Sequence, residues 1–222
     1  MPGLNCNAAC RLSIETALNE FEHTVAGDAE GLAAAVAVTV VDGGHGADLK
    51  GMPSSDDWQD NAALILTRRS SRLRKHAGQW AFPGGRLDAG ETPEQTALRE
   101  MREEIGLALG FEHILGRLDD FVTRSGFIIT PVVIWGGPQR SFEPNPDEVD
   151  SVHRIPVAEF LREDAPLLDH DNEGDAPVLR MPVGDDWIAA PTAAIIYQFR
   201  EVCVLGRATR VAHFDQPKFA WR

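Results

Sequence analysis

The sequence is poor in cysteine and has no long apolar stretch. Only 3 of its 222 residues are cysteine, and this odd number is too small for a fold stabilised by disulfides. The scarcity favours a reducing compartment and a cytoplasmic location. The longest apolar run, residues 31–41, has roughly half the length that spans a bilayer. No apolar segment follows a basic region near the start, so we expect neither a signal peptide nor a membrane anchor.

Basic residues are also scarce. Lys and Arg total 21 against 34 Asp and Glu, which gives a net charge of −13. Because a polyanion would meet a repulsive average field at this surface, nucleic acid and anionic membranes are excluded as general partners. We expect a small-molecule substrate. If that substrate is anionic, a local basic patch must bind it.

The order of apolar and turn-forming segments predicts strands, then a helix, then more strands. Strands are expected at 33–41, 62–67, 111–123, 126–136 and 147–157. Helices are expected at 12–25, 157–161 and 191–206. Segments 42–61 and 161–176 are predicted to be loops, and Cys6 and Cys10 to be free thiols in a mobile N-terminus. No linker or repeat divides the chain, so we predict one α/β domain over residues 1–222, with its core at about 30–200 and a mixed sheet.

The best-defined helix is predicted to begin after residue 91. Thr92 can cap it through its side chain, Pro93 suits the first helical position, and Gln95 completes a capping box. Gly106 is placed to end the helix. An apolar stripe follows at helical spacing, formed by Leu98, Met101 and Ile105.

Three glutamates crowd one face of this helix. Glu100, Glu103 and Glu104 stand at positions i, i+3 and i+4, so their charges repel each other. A hard divalent cation such as Mg²⁺ or Mn²⁺ would make the patch favourable, whereas without one it is an ordinary solvated acidic face. The context favours the metal site, because Arg99 can brace Glu91 and so fix the preceding glycine loop against the helix.

Residues 85–107 resemble the Nudix box, G-x5-E-x7-R-E-U-x-E-E-x-G-U, where U is a bulky apolar residue. The sequence agrees with this pattern at all nine fixed positions, which are Gly85, Glu91, Arg99, Glu100, Met101, Glu103, Glu104, Gly106 and Leu107. So many fixed positions in one short span make a specific signal. The resemblance implies a Nudix fold, which is an α/β/α sandwich around a mixed sheet. It also implies hydrolysis of a nucleoside diphosphate linked to another moiety.

The resemblance further implies roles for individual residues. In that family the metal is held by the positions that match Glu100, Glu103 and Glu104, often with the backbone carbonyl of Gly85. The position that matches Glu91 usually partners Arg99. A glutamate then takes a proton from water.

Two glutamates are candidates for this base. We predict Glu103 as base as well as ligand, with Glu148 second as a carboxylate from outside the box. The rivals of Glu148 are Glu143, Glu159 and Glu163.

A basic passage precedes the box and indicates the substrate. Five positive charges lie within eight residues: Arg68, Arg69, Arg72, Arg74 and Lys75. The stretch 66–85 resembles the second motif of coenzyme A pyrophosphatases, L-L-T-x-R-S-x3-R-x3-G-x3-F-P-G-G, with Ile65 in place of the first leucine.

Two of these arginines occupy motif positions. Arg69 and Arg74 are predicted to bind substrate, since CoA carries a 3′-phosphate as well as a diphosphate and arginine holds such oxygens bidentately. Arg68 and Arg72 are expected to make local salt bridges. Arg124 and Ser125, at a strand end, are further candidates for substrate contact.

The combined prediction is a Nudix diphosphatase that uses Mg²⁺ or Mn²⁺ to hydrolyse CoA or its derivatives to 3′,5′-ADP and (acyl-)4′-phosphopantetheine. One alternative is a Nudix hydrolase for ADP-ribose, NADH or another nucleoside diphosphate derivative. Only the motif at 66–85 favours CoA over these substrates. A second is a non-catalytic Nudix-like ligand sensor, a class that commonly loses box glutamates, whereas this chain keeps all of them. A homodimer is one option for the assembly.

Overall fold

The computed structural model describes residues 4–27, 31–73, 76–139, 141–169 and 176–216. Its helices are α1 (Ala8–Glu20), α2 (Pro93–Ile105) and α3 (Thr192–Phe199). Its strands are β1 (Leu32–Gly46), β2 (Ser54–Arg69), β3 (Trp80–Ala81), β4 (Gly84–Arg86), β5 (Ile114–Arg117), β6 (Phe121–Val122), β7 (Phe127–Gly137), β8 (Val149–Pro156), β9 (Leu167–Asp169), β10 (Val178–Val183) and β11 (Asp186–Ala189). Short 3-10 turns span Phe111–His113 and Val157–Leu161, and a π-helical turn, Arg200–Val204, continues α3.

The described strands form a large mixed sheet and a small antiparallel one. The large sheet has the order β3, β2, β1, β7, β5, with β4 beside β1, β6 beside β7 and β8 beside β2. β1 and β7 are parallel, whereas β1 and β2 are antiparallel. The small sheet has the order β11, β10, β9.

Helices cover both faces of the large sheet. Alternate residues of β1 point to opposite faces, so Ala35 and Ala37 meet α2 on one side while Val38 and Val40 belong to the cluster with α1 and α3 on the other. The α2 side is filled by Ala97, Met101 and Ile105. The predicted α/β/α sandwich around a mixed sheet is therefore confirmed.

Helix α2 begins and ends at the predicted residues. The Thr92 hydroxyl accepts from the Gln95 N–H at 3.3 Å, and the Gln95 side chain accepts from the Thr92 N–H at 2.8 Å. Gly106 ends the helix at φ 72°, in the left-handed region where glycine carries no steric penalty. Because these caps fix where the helix begins and ends, they determine the direction in which the glutamates of the box project from it.

The prediction of a loop at 42–61 is wrong, because β1 and β2 continue as a long irregular hairpin with only residues 47–53 between them. The polar residues that suggested a loop pair across the hairpin. Asp42 accepts from the Trp58 indole N–H at 2.5 Å and from Arg154 at 2.7 Å. Gly43 allows this close packing, since a Cβ there would collide with the Asn61 side chain.

The expected mobile N-terminus is also wrong. Helix α1 starts at Ala8, earlier than the predicted 12–25, because the Asn7 side chain caps it by accepting from the Cys10 N–H at 3.0 Å. Cys6 and Cys10 are free thiols but buried, and burial raises the pKa of Cys6 to about 12. The α1 core face includes Ile14 and Leu18.

Two further boundaries differ from the predictions. The single strand expected at 111–123 is a 3-10 turn followed by the separate strands β5 and β6. The expected loop 161–176 contains β9, which pairs with β10, while residues 170–175 lie outside the described ranges. Within those ranges, no helix is long and apolar enough to cross a bilayer.

Candidate functional site

Three carboxylates converge at one side of α2. Glu100 and Glu104 project from the helix, and Glu148 approaches from the segment before β8. Each offers an oxygen, and these oxygens all lie within 4.8 Å of one another. We call Glu100, Glu104 and Glu148 the carboxylate trio.

Backbone hydrogen bonds hold the Glu148 segment against the end of α2. The Asn145 N–H donates to the Glu104 carbonyl at 2.8 Å, and the Glu148 N–H donates to the Asn145 carbonyl at 3.0 Å. On the other side, the Ser70 N–H donates to the Glu148 carbonyl at 2.8 Å. These bonds hold together three segments that are distant in sequence, namely the ends of β2 and α2 and residues 145–148.

Placing these three carboxylates close together costs electrostatic free energy when they are ionised. Burial, followed by the charges of Glu100 and Glu148, raises the pKa of Glu104 to about 8, against the opposing effects of Arg69 and the Gly84 N–H. Burial also raises the pKa of Glu100, although Arg99 opposes this. A divalent cation would relieve the repulsion, and carboxylate oxygens are the donors that Mg²⁺ and Mn²⁺ prefer. The residues present therefore fit such a cation.

Gly85 lies directly beneath this group, on β4. Strand β4 pairs with β1, with Gly85 opposite Ala35. A Cβ at Gly85 would collide with the Glu100 carboxylate. Only glycine therefore lets the backbone approach the carboxylates at this point.

Arg99 braces the helix against the loop before it. Its guanidinium donates to both Glu91 oxygens, at 2.8 and 3.0 Å, and to the Arg86 carbonyl at 3.1 Å. The hydrogen bonds from Arg99 are the main cause that lowers the pKa of Glu91 to about 2. The same guanidinium donates to Glu100 at 2.7 Å, so the brace also orients a member of the trio.

Glu103 occupies a different position from the one that the sequence suggested. Its side chain is 46% exposed and accepts from Arg99 at 3.1 Å. Within the described residues, the group of mutually close carboxylates contains Glu148 rather than Glu103. Of the rivals to Glu148, Glu159 is engaged by Arg162 at 2.7 Å, and the backbone N–H of Glu143 donates to the Ile105 carbonyl. Among the residues that the structure describes, none of the three rivals, Glu143, Glu159 and Glu163, belongs to the trio.

A cavity of about 490 Å³ opens beside the carboxylate trio. Gly84 and Gly85 line it, so it reaches the loop under Glu100. Arg69 also lines the cavity. Its Nε is buried without a hydrogen-bond partner among the described residues. The positive charge of the guanidinium in the cavity lining can attract an anionic group, and arginine binds phosphate oxygens bidentately.

The other predicted basic residues differ in placement. Arg68 pairs with Asp186 and Arg72 pairs with Asp147, so the prediction that these two make local salt bridges is confirmed. Arg74 lies outside the described residues.

Arg124 and Ser125 have separate environments. Arg124 donates to Asp215 from both Nε and Nη2, at 2.6 and 2.5 Å. Ser125 lines the cavity and is hydrogen bonded to the Thr123 hydroxyl at 3.1 Å. The structure thus brings Ser125 to the cavity, while Arg124 is engaged by a carboxylate.

Sequence reasoning missed one wall of the cavity. Asp186 and Trp187 of β11 line it together with Trp80 of β3. Trp80 is buried, and its indole N–H donates to Asp186 at 3.2 Å. Nothing in the residue pattern of these segments indicated that β11 meets β3.

Comparison with known proteins identifies the fold family. The family model described as "NUDIX domain" matches residues 57–180. A protein named "Uncharacterized Nudix hydrolase NudL", from Yersinia enterocolitica, is 45% identical over 100 residues, which are 45% of this chain and 51% of that protein. "Nudix hydrolase 3" of Caenorhabditis elegans is 42% identical over 104 residues, 45% of this chain and 43% of that protein.

The chain therefore spans about half the length of the curated relatives that it matches. Among solved structures, a MutT/nudix family protein from Enterococcus faecalis superposes with a TM-score of 0.51 at 18% identity, covering 78% of this chain and 62% of that one. This likeness concerns the fold alone. Since the family model covers more than half of the chain and the box is intact, the chain belongs to the Nudix family.

Proposed function

We propose that this protein is a metal-dependent diphosphatase that hydrolyses CoA or its derivatives to 3′,5′-ADP and (acyl-)4′-phosphopantetheine. The observation that carries the proposal is the adjacency of the carboxylate trio to a cavity that Arg69 lines. A cation site beside a cavity with an anion-binding arginine in its lining suits a diphosphate with an organic group attached.

The trio would hold Mg²⁺ or Mn²⁺ through Glu100, Glu104 and Glu148, with the Gly85 carbonyl as the further ligand that the family resemblance implies. When bound, such a cation neutralises charge on the diphosphate and lowers the pKa of water. Arg69 binds a phosphate oxygen and keeps the diphosphate near the carboxylate trio.

The proton acceptor is one of two glutamates. Glu103 was the first candidate from the sequence, but its carboxylate accepts from Arg99. Glu148 belongs to the trio and is less buried than Glu104, so its carboxylate is next to the place where the diphosphate would lie. We therefore assign general-base catalysis to Glu148, with Glu103 as the alternative.

The choice of CoA rests on the motif at 66–85, which supplies Arg69 and the glycines of the cavity floor. A Nudix hydrolase for ADP-ribose or NADH would share the trio. A ligand sensor would share the cavity. The motif favours CoA over both, and the intact box favours catalysis.

A turnover panel tests the proposal. With Mg²⁺ or Mn²⁺ present, kcat/KM is measured side by side for CoA, acetyl-CoA, ADP-ribose and NADH. We expect the highest value for CoA or acetyl-CoA. Higher turnover of ADP-ribose or NADH would contradict the choice of substrate, and binding without turnover of any of the four would contradict the diphosphatase activity.

A further inference from the structure

One wall of the cavity is an aromatic assembly that the proposed chemistry does not use. It consists of Arg68 and Trp80 from the large sheet, and Asp186 and Trp187 from β11 of the small sheet. We call these four residues the aromatic wall. It joins two sheets that have no strand pairing with each other among the described residues.

Asp186 holds the aromatic wall together. Its Oδ2 accepts from the Trp80 indole N–H at 3.2 Å and from the Arg68 guanidinium, and its Oδ1 accepts from the Trp187 N–H at 2.8 Å. The Arg68 guanidinium also lies 3.8 Å from the centroid of the Trp80 ring. Each residue of the wall is therefore fixed by at least one polar or cation–π contact.

The charges of the wall compensate each other. Burial would raise the pKa of the Asp186 carboxyl, but hydrogen bonds from the Trp187 N–H, Arg68 and Trp80 hold it below its ordinary value. Asp186 thus stays ionised at neutral pH and neutralises Arg68. For Arg69, by contrast, the Nε atom has no hydrogen-bond partner among the described residues.

Apolar side chains also contribute to the cavity lining. Phe127, Ile129 and Ile195 line the cavity with the two tryptophans. Trp187 is 36% exposed, and its ring packs against the Arg180 guanidinium at 4.4 Å on the neighbouring strand. The ring is therefore held by its own sheet and still has a surface that an occupant of the cavity can contact.

These features of the wall match only one of the two arms of the proposed substrate. The nucleotide arm of CoA carries a 3′-phosphate, whereas the pantetheine arm is an uncharged chain of methylenes and amides. A wall with compensated charge attracts no phosphate, but aromatic faces bury an uncharged chain at low entropic cost. We propose that Trp187 determines specificity by contacting the pantetheine arm, and that Asp186 positions Trp187 for this contact. The inference rests on the proposed function.

The test compares Trp187→Ala with the wild type in steady-state kinetics and product inhibition. We expect the KM for CoA and the Ki of 4′-phosphopantetheine to rise about tenfold each, the scale of one lost aromatic contact. The kcat should stay within about twofold, and so should the Ki of 3′,5′-ADP, because this product lacks the arm. The KM for dephospho-CoA should rise by the same factor as that for CoA, since in this proposal the 3′-phosphate makes no contact with Trp187.

Three variants complete the test. Trp187→Phe keeps an aromatic face and should raise the KM less than threefold. Leu168→Ala removes an exposed apolar side chain of β9 that lies outside the cavity lining, and should leave every constant unchanged. Asp186→Asn should raise the KM for CoA by a few-fold while kcat stays within twofold. Thermal unfolding of each variant verifies that it folds; if Trp187→Ala does not, Trp187→Leu replaces it with the same expected direction.

The outcomes separate the two proposals. If the wild type cleaves CoA and Trp187→Ala changes neither the KM nor the Ki of 4′-phosphopantetheine, the inference alone is overturned. If the Ki of 3′,5′-ADP rises instead, the wall contacts the nucleotide and the inference is also overturned. If the wild type cleaves no CoA, the proposed function fails and the inference fails with it.

Discussion

At the scale of single residues, Glu104 has the least solvated position in the carboxylate trio. It is 6% exposed, and its pKa is raised to about 8, mainly by burial. Glu100 and Glu148 add to the rise through their charges. Without a cation, the folded protein therefore keeps a proton on Glu104 that the unfolded chain loses above about pH 4.5. A bound divalent cation would offset the cost of removing that proton, so its affinity should increase as the pH rises toward 8.

This raised pKa predicts how Glu104→Gln changes stability. Since the neutral carboxyl is favoured on folding, the contribution of Glu104 to stability falls between about pH 4.5 and about pH 8 and then levels off. The variant should be more stable than the wild type by on the order of 3–5 kcal/mol at pH 8, and by only about 1 kcal/mol at pH 5. Urea unfolding in EDTA at both pH values measures the difference.

Glu103→Gln is the matched control for that experiment, because it changes an exposed glutamate one position away that is outside the trio. It should show no such growth of the stability difference between pH 5 and pH 8. An equal gain in stability at both pH values for Glu104→Gln would mean that the gain does not come from the ionisation of Glu104.

The assignment of the base predicts unequal effects of two amide substitutions. Glu148→Gln should lower kcat by about 100-fold or more, the usual scale for loss of a general base. Glu103→Gln should lower it by less than about tenfold, because Glu103 acts through Arg99. Both are measured at saturating Mn²⁺, so that weaker metal binding does not contribute. The reverse order of effects would assign the base to Glu103.

At the scale of elements, α2 depends on Arg99. The guanidinium bonds Glu91, Glu100, Glu103 and the Arg86 carbonyl, which ties the helix to the loop before it. Arg99→Ala should lower the stability by about 2 kcal/mol at pH 7, the scale of a hydrogen-bonded charge pair. In a protein of this size, that corresponds to a fall in Tm of roughly 4–8 °C.

The pH dependence of this loss identifies its cause. Because the pKa of Glu91 is lowered to about 2, its stabilising effect is complete above about pH 4.5 and is lost as the pH falls toward 2. The Tm difference between Arg99→Ala and the wild type should therefore shrink at pH 3. Arg102→Ala, an exposed arginine on the same helix, is the control and should change Tm little at either pH. A loss that persists at pH 3 would mean that Arg99 stabilises the fold by packing alone.

The same element explains why part of the fold could be predicted. The limits of α2 follow from local chemistry, since Thr92, Gln95 and Gly106 act on neighbouring backbone groups. The extension of the β1–β2 hairpin could not be predicted in this way. Its polar residues are typical of a loop, and the buried Asp42 forms its ion pair with Arg154, more than 110 residues away in sequence. Residue type and spacing contain no information about such a distant partner.

At the scale of the whole molecule, the site combines segments that the sequence separates. The glutamates of α2 and Gly85 come from the box, Arg69 from β2, and Glu148 from the segment before β8. The box made the first group predictable, because its spacing maps directly onto one helix and its loop. Glu148 was a guess among four glutamates, and Asp186 and Trp187 went unnoticed, since only the packing of the small sheet brings them to the cavity. The single domain over residues 1–222 stays a prediction.

The central claim is that the carboxylate trio beside this cavity cleaves the diphosphate of CoA. It is tested most directly by mass spectrometry of the products after CoA is incubated with the wild type, or with Glu104→Gln, in the presence of Mg²⁺ or Mn²⁺. For the wild type we predict 3′,5′-ADP and 4′-phosphopantetheine in equal amounts, and for Glu104→Gln a strongly reduced yield of both. Intact CoA after incubation with folded wild-type protein and either metal would contradict the claim.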